Sequence, residues 1–189
     1  MPKSLSKSST FLASGLVLLV SACGSIGVLA ETIKSRLHDF RVTTIAKGLD
    51  HPWSMAFLPD GGLLITERVG RLRLYQDGRL MPDPIAGVPG VVNSGQGGLL
   101  DVILHPHFTD NRFLYLSYAA RGMGGVHTKV TRFRFDEAAH DLTEPKQIFD
   151  AMPKARGGRH FGGRMAFDRA GYLFISVGGN DALGGINVF

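Results

Sequence analysis

The chain has 189 residues, of which 44% are hydrophobic and 20% charged, a balance that excludes an intrinsically disordered chain and fits one globular domain. The formal net charge is +5, but the basic residues are scattered with no run of five, which argues against a nucleic-acid-binding groove. The sequence contains a single cysteine, so it cannot form an internal disulfide.

The first 22 residues are predicted to be a signal peptide of the lipoprotein type. Two lysines precede an apolar run over residues 11–20, which is shorter than the roughly 20 residues that span a bilayer. Small residues directly before Cys23 resemble a bacterial lipoprotein processing site, which implies cleavage there and lipidation of the thiol. The alternative is an ordinary signal peptide cut after Ala30. Both hypotheses predict export, and the first predicts a periplasmic protein bound to a bacterial membrane only through its N-terminal lipid.

Residues 23–40 are predicted to be a linker, and β-strand patterns follow it without any helical periodicity. Residues 81–98 are predicted to be a loop because they are rich in proline and glycine, and residues 122–125 to be a flexible loop. The strands are predicted at residues 41–46, 63–67, 71–75, 99–104, 113–118, 128–135, 147–149, 164–167 and 172–177.

A polar turn followed by an apolar strand occurs three times, beginning near Pro59, His107 and Asp168. The intervals of roughly 50–60 residues are close to the length of a propeller blade, whereas a β-sandwich usually has more closely spaced turns. Strands 99–104 and 172–177 are apolar on both faces, as expected for sheets packed between neighbours. The pattern therefore predicts an all-β fold of propeller blades. Three units do not close a ring, so we expect an incomplete propeller with an exposed blade face.

A histidine flanked by glycines, His160, opens the third unit. Glycines allow a ligand or another backbone to approach closely, and imidazole titrates near neutral pH. His160 is therefore a candidate proton acceptor. A structural loop histidine is the alternative, and the local sequence leaves both open.

Three ordered motifs resemble the soluble aldose sugar dehydrogenases that use pyrroloquinoline quinone (PQQ), the glucose/sorbosone dehydrogenase family. They begin at His51 (HPWS), at Ser94 (SGQGGLLDV) and at His160 (HFGGR). The resemblance implies a six-bladed β-propeller, of which this chain would supply about half, or roughly three blades. Residues 41–189 are accordingly predicted to be the N-terminal part of such a propeller.

The resemblance also implies PQQ-dependent oxidation of the C1 hydroxyl of aldose sugars to lactones. His160 stands at the position of the general base, which removes the hydroxyl proton while hydride passes to the quinone. Gln96 matches a glutamine beside the cofactor and the reacting hydroxyl, where its amide can both donate and accept. Arg159 is predicted to face a carboxylate of the cofactor, and Asn180 is predicted to contact the substrate.

The implied cofactors are PQQ and calcium, and the implied partners are an aldose sugar and a periplasmic electron acceptor. Most cofactor ligands of the family would lie beyond Phe189, and Gly179 stands where the family usually has an aspartate. A second hypothesis is therefore a non-catalytic exported propeller lipoprotein that binds carbohydrate or protein.

Two further histidines, His105 and His107, occupy alternate positions and would be metal ligands if they joined His160. The His105-Pro106 dipeptide indicates a turn instead, so no metal site is predicted from these residues.

Three charged residues near the motifs have several interpretations. Asp101 is predicted to cap a turn or bind backbone amides rather than act as an acid. For Arg68 and Arg164, bracing of a loop and contact with a cofactor both remain open.

Overall fold

The computed structural model describes residues 31–152, 158–178 and 185–189. Cys23 and Asn180 lie outside these ranges. Within them the chain forms thirteen β-strands and one helix of four residues, which confirms the all-β class. No helix in this described part is long and apolar enough to cross a membrane. The chain divides into two compact units, residues 1–43 and 44–189.

The first unit contains a small antiparallel hairpin. Strand β1 (Glu31–Ile33) pairs with strand β2 (Phe40–Val42), and Ile33 lies opposite Phe40. The hairpin falls partly within the predicted linker, and β2 ends at Val42, whereas the alternating pattern predicted a strand as far as residue 46. An isolated two-stranded hairpin is only marginally stable, because it buries little apolar surface. All three side chains of β2 are exposed.

The second unit begins with a four-stranded antiparallel sheet. It is an up-and-down meander in the order β3-β4-β5-β6. Its strands are β3 (Pro52–Phe57), β4 (Leu63–Glu67), β5 (Arg71–Gln76) and β6 (Arg79–Leu80). Each connecting turn contains a glycine with a positive φ, as the turn signals in the sequence predicted.

The second sheet also has four antiparallel strands in sequence order, β7-β8-β9-β10. Its elements are β7 (Leu99–Leu104), helix α1 (Phe108–Asn111), β8 (Phe113–Gly122), β9 (Gly125–Asp136) and β10 (Asp141–Asp150). The flexible loop predicted over residues 122–125 is instead a tight turn, because Gly122 pairs directly with Gly125. The strand predicted over residues 147–149 is longer than expected and contains two register shifts.

The third sheet has three strands in the order β11-β12-β13. They are β11 (Met165–Phe167), β12 (Leu173–Val177) and β13 (Gly185–Val188). Phe189 extends the pairing, because its backbone exchanges hydrogen bonds of 2.8 and 2.9 Å with Leu173.

Two hydrophobic cores join the three sheets. The core between the first and second sheets includes Leu64, Leu72, Leu74, Leu114, Leu116 and Phe133. The core between the second and third sheets includes Tyr115, Val130, Met165, Leu173 and Ile175. Successive residues of β8 therefore face different cores, because side chains alternate along a strand. This explains why the strands of the middle sheet are apolar on both faces.

The two outer sheets each expose apolar side chains. Met55 and Phe57 on β3 are 60% and 68% exposed, and Tyr172 and Val188 at the third sheet are 56% and 52% exposed. Such exposure agrees with the expectation that three units leave blade faces uncovered.

Candidate active site

The first strand of each sheet, β3, β7 and β11, lies next to the first strand of the following sheet, and a single carboxylate joins all three. Asp101 on β7 accepts hydrogen bonds from Ser54 Oγ on β3 at 2.5 Å and from the Met165 amide on β11 at 2.8 Å. The loops that precede β7 and β11 carry Gln96 and His160. These loops meet at one edge of the sheets.

The structure brings the two main sequence-predicted site residues together. The backbone N–H of His160 donates to Oε1 of Gln96 at 2.8 Å, and the backbone N–H of Gln96 donates to the Gly158 carbonyl at 2.7 Å. Both side chains are exposed. An imidazole and a side-chain amide therefore stand side by side where a ligand from solvent can reach them.

The backbone of His160 is held while its ring stays at the surface. His160 has φ of 59°, in the left-handed region that non-glycine residues seldom adopt. The next residue, Phe161, is 6% exposed and packs in a small core with Leu100 and Ala119. Thr128 Oγ1 also donates to the Phe161 carbonyl at 2.5 Å. The exposed ring rules out a histidine packed within an apolar layer.

Glycines around His160 serve close packing of protein against protein. A Cβ on Gly163, whose φ is 83°, would lie 2.7 Å from Cδ1 of Leu100. A Cβ on Gly178, at the end of β12, would lie 2.6 Å from the carbonyl carbon of His160. The sequence hypothesis assigned the glycines beside His160 to the close approach of backbone and ligand, and the structure shows a protein neighbour at Gly163.

Arg68 braces the loop that carries Gln96. Its Nη2 donates to the Gly95 carbonyl at 2.7 Å, and its Nε lies 3.3 Å from the Gly97 carbonyl. The Arg68 carbonyl accepts from the Leu99 amide at 3.0 Å, at the start of β7. Of the two interpretations that the sequence left open, these contacts favour bracing.

Asp101 binds backbone amides, as predicted, and also pairs with an arginine. Besides Met165, the Val102 amide donates to its carboxylate at 3.1 Å, and Arg164 Nη1 lies 3.2 Å from Oδ1. Asp101 is only 1% exposed, so these donors replace the water that its charge would otherwise require. The guanidinium of Arg164 lies 5.8 Å from the centre of the Trp53 ring, while 67% of the Arg164 side chain remains exposed.

His105 is a packing residue in this structure. Its Nδ1 accepts from the His107 amide at 3.0 Å and lies 2.9 Å from Nδ2 of Asn111. The ring stacks on Tyr115 and meets Phe167 edge-on, so it contacts both the second and third sheets. Burial lowers the pKa of His105. Among the described residues, no three His, Cys, Asp or Glu side chains are grouped closely enough to hold a metal ion.

A buried carboxylate near the motif at His51 was not singled out from the sequence. Glu67 is fully buried, and it accepts from the Asp50 amide at 2.7 Å and from Arg71 Nε at 2.5 Å. The hydrogen bond to Glu67 raises the pKa of Arg71, and the hydrogen bond from His51 lowers the pKa of Asp50. The sequence signal was an acidic residue at the end of a mainly apolar strand. A buried acidic residue almost always has a charged or hydrogen-bonding partner.

The remaining predicted residues have fewer described contacts. Arg159 is exposed and directly precedes His160. Asn180, like Gly179, falls in the part of the chain that is not described.

Comparison with known proteins identifies the family of this chain. The family described as Glucose / Sorbosone dehydrogenase matches residues 49–183. Aldose sugar dehydrogenase YliI of Escherichia coli is 46% identical over 142 residues, which cover 74% of this chain and 38% of that protein. The crystal structure of a glucose dehydrogenase is 50% identical with a TM-score of 0.71, covering 74% of this chain and 41% of that chain.

A third relative is known with its cofactor. The PQQ-bound aldose sugar dehydrogenase of Streptomyces coelicolor is 29% identical with a TM-score of 0.64, covering 75% of this chain and 42% of that chain. The chain spans less than half the length of each of these three relatives. The matches confirm the predicted fold class, part of a six-bladed β-propeller. The matched residues include all three motifs, and the chain belongs to the glucose/sorbosone dehydrogenase family.

Proposed function

We propose that these residues form part of a PQQ-dependent dehydrogenase that oxidises the C1 hydroxyl of aldose sugars to lactones. The observation that carries the proposal is the hydrogen bond between Gln96 and His160, with both side chains exposed at one edge. Membership of the family supports sugar oxidation as the class of reaction. Because the chain spans less than half of its relatives, the proposal concerns the activity of a complete propeller.

In this proposal His160 is the general base. An unprotonated nitrogen of its imidazole accepts the proton of the C1 hydroxyl. Gln96 has its Oε1 occupied by the His160 amide, so its Nε2 supplies the donor that orients the sugar oxygen or the cofactor. The left-handed backbone of His160 and the buried Phe161 fix the loop, so that the base need not be ordered by the substrate.

The exposed side chains of Gln96, Arg159 and His160 are hydrogen-bonding or cationic groups, which suit an anionic quinone. An imidazole and a guanidinium stand on consecutive residues, His160 and Arg159, beside the exposed amide of Gln96. Arg159 would hold a carboxylate of PQQ, and Asn180 would contact the sugar. When bound, PQQ supplies the acceptor for the hydride. We also propose calcium as a second cofactor and a periplasmic electron acceptor as a partner, on the family resemblance alone.

The proposal for the N-terminus is export and lipidation. Residues 1–22 would be the signal peptide, Cys23 would carry the lipid, residues 23–40 would be the linker, and residues 41–189 would belong to the propeller. The compact unit that begins at Thr44 supports a boundary close to this position. Changing Cys23 to Ser should release the protein from the membrane fraction, and unchanged membrane association would rule out the lipid anchor.

Dye-linked oxidation of aldoses by the complete propeller, measured after addition of PQQ and calcium, tests the catalytic proposal. His160→Ala should lower the rate about 10²–10⁴-fold, because a positioned general base contributes that much, while circular dichroism reports an unchanged fold. A protein that binds aldose but does not oxidise it would support the non-catalytic carbohydrate-binding alternative.

A further inference from the structure

A second concave site lies on the second sheet, away from His160. It is a pocket of about 390 Å³, within the range of small-molecule sites. Strands β8, β9 and β10 form its floor, and Gly87 and Pro89 of the preceding loop form part of its rim. Gln96 and His160 do not line it, although Gly87 and Pro89 belong to the same long connection before β7 as Gln96.

Irregularities in β10 shape this pocket. The pairing of β10 with β9 shifts register between Thr143 and Lys146 and again between Gln147 and Phe149. Bulges of this kind redirect side chains, and they are common beside functional sites. Pro145 lies within the first shift and Gln147 borders the second, and both line the pocket.

The rim is held in place by backbone pairing. The Ala86 amide donates to the His140 carbonyl at 2.9 Å, and the Leu142 amide donates to the Ala86 carbonyl at 3.1 Å. Gly87 adjoins this pairing with φ of 74°, and a Cβ there would lie 2.6 Å from Oδ1 of Asp141. The loop is therefore packed tightly against β10, and the pocket is formed before any ligand binds.

The polar groups of the pocket are one cation, two hydroxyls and an amide. Tyr118 and Thr131 are 6% and 5% exposed, and their hydroxyl oxygens lie 3.0 Å apart. Burial raises the pKa of the Tyr118 phenol, so the hydroxyl stays protonated. The exposed amide of Gln147 completes the set, and apolar walls come from Phe133 and Leu142.

The cation is Lys129, which is half-buried on β9. Its cross-strand neighbour is Asp150, whose Oδ1 lies 2.7 Å from Nε2 of His127. Among the residues that the structure describes, no carboxylate forms an ion pair with Lys129. Its ammonium is therefore available to an anionic ligand.

We propose that this pocket binds a sugar acid of monosaccharide size, with the carboxylate at Lys129 and hydroxyls at Tyr118, Thr131 and Gln147. The choice of a sugar acid rests on the proposed function. Oxidation at C1 gives a lactone, and water opens it by adding hydroxyl to the carbonyl carbon and a proton to the ring oxygen, with no further redox change. The pocket would then be a product site separate from the edge that carries His160.

Titration of the protein with gluconate by isothermal calorimetry tests the proposal. Gluconate should bind at one site, and Lys129→Gln should weaken it about tenfold or more, since a tenfold change is ~1.4 kcal/mol. Lys129→Arg should retain binding. Lys146→Gln is the matched control, because Lys146 is an exposed lysine of β10 outside the pocket. Glucose, which has hydroxyls but no carboxylate, should bind correspondingly more weakly than gluconate.

Gln147→Ala provides a second test if Lys129→Gln does not fold. Loss of one hydrogen bond should weaken gluconate binding about 3–10-fold. Equal affinity of Lys129→Gln and the unchanged protein would overturn the proposal, as would benzoate binding as tightly as gluconate. Loss of gluconate binding in His160→Ala would place the ligand at the other site and also overturn it. Lys129-dependent binding, together with no sugar oxidation by the complete propeller, would support the pocket while contradicting the catalytic proposal.

Discussion

Gln96 accepts the backbone N–H of His160 at 2.8 Å across 64 residues of sequence. Gln96 also donates its own N–H to the Gly158 carbonyl at 2.7 Å, so the two loops are joined in both directions. The position of the proposed base therefore depends on the side chain of its proposed partner.

Gln96→Ala should loosen the backbone at His160. Losing one hydrogen bond costs about 0.5–1.5 kcal/mol, so amide hydrogen exchange at His160 should be roughly 3–10 times faster. NMR-detected exchange measures this directly. Gln76→Ala is the control, because Nε2 of Gln76 bonds to Asp60 and Glu137 and not to the loop that carries His160. Unchanged exchange at His160 in Gln96→Ala would show that the contact does not order the loop.

Asp101→Asn should lower the free energy of unfolding by about 2–4 kcal/mol, because a buried carboxylate with several donors loses acceptor capacity. Urea denaturation followed by fluorescence suits this protein, since Trp53 is its single tryptophan and lies near Arg164. Asp168→Asn is the control: Asp168 is an exposed turn residue whose Oδ1 accepts two backbone amides. Equal effects of the two substitutions would contradict a special role of Asp101 between the sheets.

Gly98→Ala should destabilise the protein more than Gly78→Ala. Both glycines have positive φ, 137° and 76°, so both substitutions strain the backbone. A Cβ at Gly78 would meet open space, whereas at Gly98 it would collide with the Arg68 carbonyl. We expect a difference of about 1–3 kcal/mol in the free energy of unfolding, measured by urea denaturation. A smaller effect at Gly98 would mean that the loop braced by Arg68 can move away.

Stability should decrease below neutral pH in part through His105. Burial first, and then the nearby charges of His107 and Arg132, lower the pKa of His105 from its ordinary 6.5. As pH falls below about 6.5, the unfolded chain binds a proton that the folded chain does not, so stability is lost down to the lowered pKa. A protonated Nδ1 of His105 also cannot accept the hydrogen bonds that it now receives from the His107 amide and from Nδ2 of Asn111.

His105→Gln should therefore flatten the acid side of a plot of unfolding free energy against pH. His38→Gln serves as the control, because His38 is an exposed histidine of the N-terminal unit. If both variants kept the original slope below pH 6.5, another group would be responsible for the loss of stability.

Local pattern predicted strands in each of the three larger sheets, but it did not predict β3, β6 or β13. Strand 99–104 was predicted to face neighbours on both sides, and Val102 and Ile103 do face different cores. The long β10 could not be predicted in full, because residues 143–147 are polar apart from Pro145, and proline is unusual inside a strand. Its pairing depends on β9, which tertiary structure brings alongside.

The candidate site was predictable only through its motifs. Nothing in the local sequence shows that Asp101 bonds to Met165, since the two residues are 64 positions apart and meet through the packing of two sheets. Arg68 left two interpretations open for the same reason: a guanidinium beside a glycine-rich loop can bind a carbonyl or a ligand. Only the folded chain distinguishes them, through the contact with the Gly95 carbonyl.

The loops at the site are connected in series by hydrogen bonds. Arg68 bonds to the Gly95 carbonyl, and the neighbouring Gln96 bonds to the backbone of His160. Chimeras with homologous enzymes must respect this order. A crossover point between residues 68 and 160 would combine Arg68 or Gln96 from one parent protein with the contacting loop of the other. We expect the imidazole of His160 to be misplaced in such a chimera. Recombination that exchanges residues 68 to 164 as one block keeps both contacts, Arg68 with Gly95 and Gln96 with His160, within one parent sequence.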